Sequence, residues 1–300
     1  MVVYQIIDGI FVGHYVGVEG LAGINIAWPI TFVVSGLGIM IGMGGGSLIS
    51  IKRGEDDKAS AQQALNTSFV LMMVLAVFSA AGLLLWGADL LRVQGGDGIT
   101  FTLGLDYVNV FAYGTIATIM AAAIPMLVRN DESPKVATAL MILGALLNIV
   151  LDYVFIVLWQ WQLEGAALAT IIAQSVVAVL GIIYFLSQYS SLKLDKSLVK
   201  VNPLMATRII SLGASSLVMY LYTSFVFALH NRLFMQYGTS VTVDAFAILG
   251  YIMTVYYLIA EGMQPPVSYY FGAQQFENIK KMLFMSIKVT VITGIGFIIV

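Results

Sequence analysis

The sequence has no cysteine and only two histidines, His14 and His230, which lie far apart. The absence of cysteine excludes disulfide bonds, thiol catalysis and thiolate metal ligands. Two distant histidines provide neither an HExxH pair nor any other zinc-ligand spacing. Charged residues make up only 10% of the chain, and the formal net charge of −2 is too small to indicate nucleic-acid binding. The glycine-rich stretch 42–46 lacks the Gly-Lys-Ser/Thr that a phosphate-binding loop requires, so nucleotide binding is not indicated either.

Hydrophobic residues, in contrast, make up 60% of the chain, more than a soluble domain could cover. They occur in long apolar runs, which are the mark of membrane-spanning helices, and they do not alternate as the strands of a membrane barrel would. The sequence therefore predicts an all-α polytopic membrane protein. The runs occupy approximately residues 1–16, 20–51, 63–91, 99–128, 134–160, 165–187, 206–237, 241–271 and 283–300.

The basic residues are distributed asymmetrically between the loops. Alternate loops hold 12 of the 14 lysines and arginines, and only Arg92 and Arg232 lie on the opposite side. The positive-inside rule therefore places the start of the first segment and the loop 190–205 in the cytoplasm. Trp159 and Trp161 then lie near the external surface, where interfacial aromatic residues are common. We expect a multi-pass protein of the plasma (bacterial inner) membrane.

A polar stretch around residues 187–203 divides the chain into two parts. We predict a first lobe of six segments over residues 1–189, a cytoplasmic linker over 190–205, and a second lobe over 206–300. A short pattern of Gly, Ser and Gly also recurs 218 residues apart, at the ends of the second and eighth segments. Repeated halves are common in transporters, where substrates and ions bind between or within them. The repeated residues are Gly44, Ser50 and Gly54, matched by Gly262, Ser268 and Gly272.

Two carboxylates, Asp8 and Asp152, stand alone inside apolar segments. An acid at the centre of a membrane helix costs roughly 2.5–3.5 kcal/mol on insertion scales and usually marks a functional site. From the helical rise, Asp8 lies ~9–15 Å below the external surface, Asp152 ~10–13 Å and Thr170 ~8 Å. Asn148 and Asp152 share one helix face because they are four residues apart. The sequence therefore predicts a cluster of oxygen-rich side chains in the outer half of the first lobe.

Such a cluster suits exchange between a proton and a metal cation. Neighbouring buried carboxylates disfavour a second negative charge, so they bind a proton unless a cation compensates them. Oxygen ligands from Asp, Asn and Thr suit hard cations such as Na⁺. The alternative is that Asn148 and Asp152 only hydrogen-bond helices together, as polar residues in membrane helices often do. Asp106 and Asp244 are predicted in the first turns of their helices, where an acid stabilises the helix dipole.

Several stretches resemble the multidrug and toxic compound extrusion (MATE) transporters: Asp8–Gly13, the end of the second segment, Asn148–Ile156 and Glu261–Ala273. The resemblance runs through essentially the whole chain and is greatest to the DinF-type branch. It implies twelve helices in two lobes, of which this chain holds about nine, so we expect a chain truncated at both ends. It also implies that Asp8, Asn148, Asp152 and Thr170, with Tyr107, form the proton or Na⁺ coupling network.

The resemblance implies a cation-coupled antiporter that exports amphipathic, often cationic, small organic compounds by alternating access. We expect a monomer in the lipid bilayer, with H⁺ or Na⁺ as the coupling ion and no cofactor or nucleic-acid partner. Two alternatives remain at this point. A related flippase for lipid-linked precursors would need a cationic cavity, whereas Lys288 is the main basic residue inside the segments. An intramembrane enzyme would need a catalytic arrangement, and the pair Asp8 and Asp152 lacks the local motifs of intramembrane aspartyl proteases.

Overall fold

The computed structural model describes residues 2–94, 98–194, 202–237 and 262–299. These residues form helices joined by short turns and contain no strand, which confirms the all-α prediction. A π-helical turn, Tyr153–Leu158, directly follows α6. The helices are α1 (Val2–Tyr15), α2 (Val18–Gly54), α3 (Lys58–Val93), α4 (Gly98–Tyr113), α5 (Thr115–Asn130), α6 (Pro134–Asp152), α7 (Gln162–Leu186), α8 (Pro203–Tyr237), α9 (residues 262–272) and α10 (Phe276–Ile299).

Five of the described helices, α2, α3, α6 with its π-helical turn, α7 and α8, are long and apolar enough to cross a membrane. Helices α4 and α5 provide a sixth span if the two are counted together. Large apolar side chains such as Phe78 and Leu85 are exposed on the outside of this bundle, as expected for a surface that contacts lipid. These spans overlap the predicted apolar segments and confirm a multi-pass membrane protein.

The segment predicted at 99–128 is not one straight helix. Helix α4 ends at Tyr113 and α5 begins at Thr115, and the two helices are bent by 64°. The Thr115 hydroxyl donates to the carbonyl oxygens of Ala112 (3.1 Å) and Ala76 (3.2 Å), so the bend does not leave these polar groups unsatisfied. At the bend, a Cβ added to Gly114 would overlap the side chain of Ile171 on α7. Glycine thus lets the bent chain approach α7 closely.

Helix α2, with 37 residues, lies at the centre of the bundle and contacts α3, α4, α5 and α8. Its glycines allow close backbone approach on two faces. A Cβ added at Gly42 would lie 2.8 Å from Cα of Ala123 on α5, and one added at Gly44 would overlap the carbonyl oxygen of Ile209 on α8. Small residues permit such packing between membrane helices, where lipid provides no hydrophobic driving force. Helix α2 therefore contacts α5 of its own predicted lobe on one face and α8 of the other predicted lobe on another.

The polar stretch between the lobes starts as an ordered turn that is held by one buried acid. Asp131, which follows α5, accepts hydrogen bonds from Tyr184 Oη and Ser190 Oγ, both at 2.8 Å, and from the backbone N–H groups of Ser191 (3.0 Å) and Leu192 (3.1 Å). These bonds fix the segment after α7 against the end of α5. Helix α8 then begins at Pro203, three residues before the predicted lobe boundary at 206. The predicted division into two lobes stays a prediction.

Candidate functional site

The structure describes all five residues of the predicted coupling network, and each side chain is buried, with exposed fractions from 0 to 6%. Four helices contribute to the cluster. Asp8 is on α1, Tyr107 on α4, Asn148 and Asp152 on α6, and Thr170 on α7.

A chain of hydrogen bonds joins three of these residues. The Asn148 side-chain amide donates to Thr170 Oγ1 at 3.4 Å, and the Thr170 hydroxyl donates to Asp8 Oδ2 at 3.2 Å. Asp152 lies close enough to Asp8 for the two carboxylates to repel each other when both are ionised. The structure therefore brings polar groups of α1, α6 and α7 together at one place in the bundle.

Four oxygen atoms of the cluster are buried and accept no hydrogen bond from any residue that the structure describes: Asp8 Oδ1, Asn148 Oδ1, and Oδ1 and Oδ2 of Asp152. A buried acceptor without a donor carries the full cost of losing water, and that cost is larger for a charged group. These oxygens come from the donor types that bind hard cations. The cluster therefore suits a proton or a small hard cation chemically.

The backbone changes geometry directly after Asp152. The π-helical turn Tyr153–Leu158 begins at the next residue, and Trp159 N–H donates to the carbonyl oxygen of Val154 at 2.9 Å, five residues earlier. Short π-helical stretches inside α-helices occur frequently at functional sites. The wider turn changes the direction in which residues beyond Asp152 face, compared with a continuous α-helix.

Two aromatic side chains approach α1 around Asp8: Tyr107, which belongs to the cluster, and Trp28, which does not. The Tyr107 hydroxyl lies within the electrostatic influence of both Asp8 and Asp152, and its ring stacks on Phe111 with 6.3 Å between centroids. Trp28 of α2 packs near Gly9, where an added Cβ would lie 3.8 Å from the indole ring. Sequence reasoning did not identify Trp28, because a tryptophan in an apolar segment has no distinguishing pattern.

The other acids singled out from the sequence lie elsewhere. Asp106 is in the ninth position of α4, which has no acid in its first turn, so the predicted role at a helix start is wrong. Helix α4 begins at Gly98, one residue before the apolar run predicted at 99–128, so Asp106 lies beyond the first two turns of the helix. Asp244 lies outside the described residues. In the part of the chain that is described, no group of three or more His, Asp or Glu side chains could hold a metal ion.

Sequence reasoning also missed buried polar residues outside the cluster. The Thr118 hydroxyl donates to Gln174 Oε1 at 2.6 Å and joins α5 to α7. Asn130 is 3% exposed and hydrogen-bonds to Gln264 of α9. A signal was available, because an amide inside or at the end of an apolar segment requires a partner when it is buried. The sequence could not indicate which partner each amide has.

Comparison with known proteins identifies the family. The sequence profile described as MatE matches residues 1–154, slightly more than half of the chain. This chain belongs to the MatE family. Members of this family are transporters, which removes the intramembrane enzyme from the alternatives. The resemblance read from the motifs around Asp8 and Asp152 is thus confirmed.

Individual relatives agree with this assignment. Multidrug export protein MepA of Staphylococcus aureus is 24% identical over 293 residues, which cover 96% of this chain and 65% of MepA. The solved structure of the MATE multidrug transporter DinF-BH is 29% identical, with a TM-score of 0.86, and the match covers 99% of this chain and 67% of that one.

A third relative is a MOP superfamily transporter from Pyrococcus furiosus, whose reversed binding-pocket polarity suggests a different function for that protein. It is 25% identical with a TM-score of 0.84, over 95% of this chain and 64% of that one. The chain spans about two thirds of the length of these relatives. The predicted DinF-type branch stays a prediction, since the chain is similar to MATE transporters of more than one description.

Proposed function

We propose that the protein is a secondary active exporter of amphipathic, often cationic, small organic compounds, and that it works by alternating access in the plasma membrane. The family assignment and the name of the relative MepA, a multidrug export protein, support this proposal. The chain covers 65% of MepA, so the activity refers to the full-length protein that contains this chain.

We further propose that export is coupled to inward movement of H⁺ or Na⁺ through the cluster of Asp8, Asn148, Asp152 and Thr170, with Tyr107 beside it. One observation carries this proposal: the oxygens of Asp152 and one oxygen of Asp8 are buried without a hydrogen-bond donor among the described residues. Two adjacent carboxylates in such surroundings are stable only when protons or a cation neutralise them. When the neutralising ion leaves, the free energy of this arrangement of the protein rises.

The same groups serve either ion. A proton bound to one carboxyl oxygen turns that group into a hydrogen-bond donor for its neighbour. A Na⁺ ion would instead be held by the two carboxylates, the amide oxygen of Asn148 and the hydroxyl of Thr170. The two ions therefore compete for one set of oxygens, which is what exchange against a substrate requires.

The decisive experiment neutralises each acid in the full-length protein. Asp8→Asn and Asp152→Asn keep the side-chain shape and remove the charge, so each variant should fold but lose ion-driven dye efflux from proteoliposomes. Asp106→Asn is the matched control, because Asp106 is also an acid predicted in the outer half of the first lobe. Its side chain is only partly buried, and it takes no part in the hydrogen bonds described for the cluster. Efflux is measured under an imposed pH gradient and, separately, under a Na⁺ gradient.

Wild-type efflux in both Asp8→Asn and Asp152→Asn would rule out coupling through the cluster. The remaining interpretation would then be that these polar side chains only hold helices together. Efflux that responds to one gradient alone would identify the ion.

A further inference from the structure

At the end of the bundle predicted to be cytoplasmic, four polar side chains form a group that we call the amide node: Ser47, Ser50, Asn130 and Gln264. Asn130 and Gln264 form a reciprocal pair, in which Asn130 Nδ2 donates to Gln264 Oε1 at 3.1 Å and Gln264 Nε2 donates to Asn130 Oδ1 at 3.2 Å. Gln264 Nε2 also donates to Ser47 Oγ at 2.8 Å. The Ser50 hydroxyl donates to Asn130 Oδ1 at 2.7 Å.

The amide node joins the two predicted lobes. Ser47 and Ser50 are on α2 and Asn130 is the last residue of α5, all in the first lobe, whereas Gln264 is on α9 in the second. Asn130 Nδ2 donates in addition to the carbonyl oxygen of Met126 at 2.8 Å, so its side chain uses both donors and accepts two bonds. The buried amide of Asn130 makes all of these hydrogen bonds only when Gln264 is in place.

A close backbone contact lies beside the amide node and also crosses between the lobes. A Cβ added at Gly54, the last residue of α2, would overlap the carbonyl oxygen of Tyr269, and one added at Gly272, the last residue of α9, would overlap that of Ile51. The contact is reciprocal, and Gly54 and Gly272 are one of the two glycine pairs that recur 218 residues apart in the Gly-Ser-Gly pattern. The ends of two repeated helices therefore meet each other, and only glycine allows them to approach so closely.

Close glycine contacts also join α2 to α8, at Gly44 and Gly213, so the contact at this end is distinguished by the amide node beside it. A hydrogen bond between neutral amides contributes little net free energy, because water can replace it on both sides. Gln264 can therefore move away from Asn130 and Ser47 without leaving a charge buried, provided that water enters. The glycine contact has no side chain that would obstruct either closing or separation.

We propose that the amide node and the Gly54–Gly272 contact form a latch that closes this end of the transporter and opens during the transport cycle. The proposal rests on the proposed alternating-access function, since an open state of this end is needed only for such a cycle. A permanent joint between the lobes is the competing explanation, and it predicts that the end never separates.

The test measures the separation of the lobes directly in the full-length protein, without substrate or ion gradient. Lys58→Cys at the start of α3 and Lys281→Cys on α10 introduce two exposed sites for spin labels into this cysteine-free sequence, one in each lobe. Double electron–electron resonance then gives the distribution of distances between them. A distance measurement of this kind does not depend on transport, so its outcome is separate from the outcome of the efflux experiment.

Gln264→Leu removes the hydrogen bonds across the amide node at nearly constant volume. We expect it to increase the fraction of the longer distance at least threefold over wild type. The matched control, Gln174→Leu, makes the same substitution where the lost hydrogen bond joins α5 to α7 inside one lobe. We expect the control to keep the wild-type distribution. An unchanged distribution in Gln264→Leu, or an equal increase in the control, would overturn the latch.

A second pair of variants on α9 decides the question if Gln264→Leu does not fold. Gly272→Ala places a methyl group against the backbone of Ile51 and should also increase the longer distance at least threefold. Among the residues that the structure describes, no atom lies within 4 Å of a Cβ added at Gly262 on the same helix, so Gly262→Ala should leave the distances unchanged. Identical distributions for these two alanine variants would show that the close contact does not keep this end closed.

Discussion

The Thr170 hydroxyl allows the proposed coupling site to be tested without changing any charge. It donates to Asp8 Oδ2 at 3.2 Å and accepts from Asn148 Nδ2 at 3.4 Å, so it is the link between α1 and α6. Thr170→Val keeps the shape of the side chain and removes both bonds. Thr170→Ser keeps the hydroxyl and removes only a methyl group, so it should restore most of the lost function.

The magnitude follows from the geometry of the bond to Asp8. Hydrogen bonds to charged groups contribute about 1.5–3 kcal/mol. The distance of 3.2 Å is longer than the ~2.7–2.8 Å preferred by hydroxyl donors, so the lower end of this range applies. A loss of about 1.4 kcal/mol of binding free energy corresponds to a tenfold change in a binding constant. For Na⁺ coupling, Thr170→Val also removes the oxygen proposed as a Na⁺ ligand, and we expect the half-saturating Na⁺ concentration for dye efflux to rise about tenfold. For H⁺ coupling, the lost bond stabilises the ionised carboxylate, so the pH dependence of efflux should shift to higher pH by about one pH unit.

The assay is dye efflux from proteoliposomes containing the full-length protein, measured over a series of Na⁺ concentrations and pH values. Thr118→Val is the matched control, because it makes the same substitution at a buried threonine whose 2.6 Å bond to Gln174 does not involve the carboxylates. Thr118→Val should leave the ion dependence unchanged. Equal effects of Thr170→Val and Thr118→Val would refute the reasoning, since both would then report only on helix packing.

Two further predictions concern stability and topology. Asp131→Asn should lower the free energy of unfolding by about 3 kcal/mol, because a carboxylate that accepts several buried hydrogen bonds cannot be replaced by a group with one acceptor oxygen. Glu132→Gln, at an exposed acid paired with Arg53, should lower it by only roughly 0.2–1 kcal/mol in the same unfolding experiment. Equal losses in the two variants would contradict the role given to Asp131. In intact cells, a membrane-impermeant maleimide should label Gln162→Cys and not Lys58→Cys, and the reverse result would invert the predicted orientation.

Composition and the long apolar runs were sufficient to predict the fold class. The helices coincide with the long apolar runs because backbone polar groups in lipid must be satisfied within the helix itself. The bend between α4 and α5 was not predicted, because the apolar run continues through it, and the contacts at the bend, such as Thr115 with the carbonyl oxygen of Ala76, involve other helices.

The candidate site was predictable in part. Asp8 and Asp152 stand out because a lone carboxylate in an apolar segment is costly, and their depths could be estimated from the helical rise. Asn130 and Gln264 were not recognised, because they lie near the ends of apolar segments, where polar residues are ordinary. Their importance depends on pairing across 134 residues of sequence, which local patterns do not encode.

The proposed site and the proposed latch differ in their energetic scale, and that difference is what a coupled transporter needs. Three hydrogen bonds of the amide node cross between the lobes, two between Asn130 and Gln264 and one from Gln264 to Ser47. Neutral bonds of this kind contribute roughly 2–4 kcal/mol together. An uncompensated buried carboxylate costs several kcal/mol by itself. Neutralisation of Asp8 or Asp152 by an ion therefore changes the free energy of the protein by at least as much as these three hydrogen bonds contribute to keeping this end closed. An apolar contact without hydrogen bonds would not fix one closed arrangement.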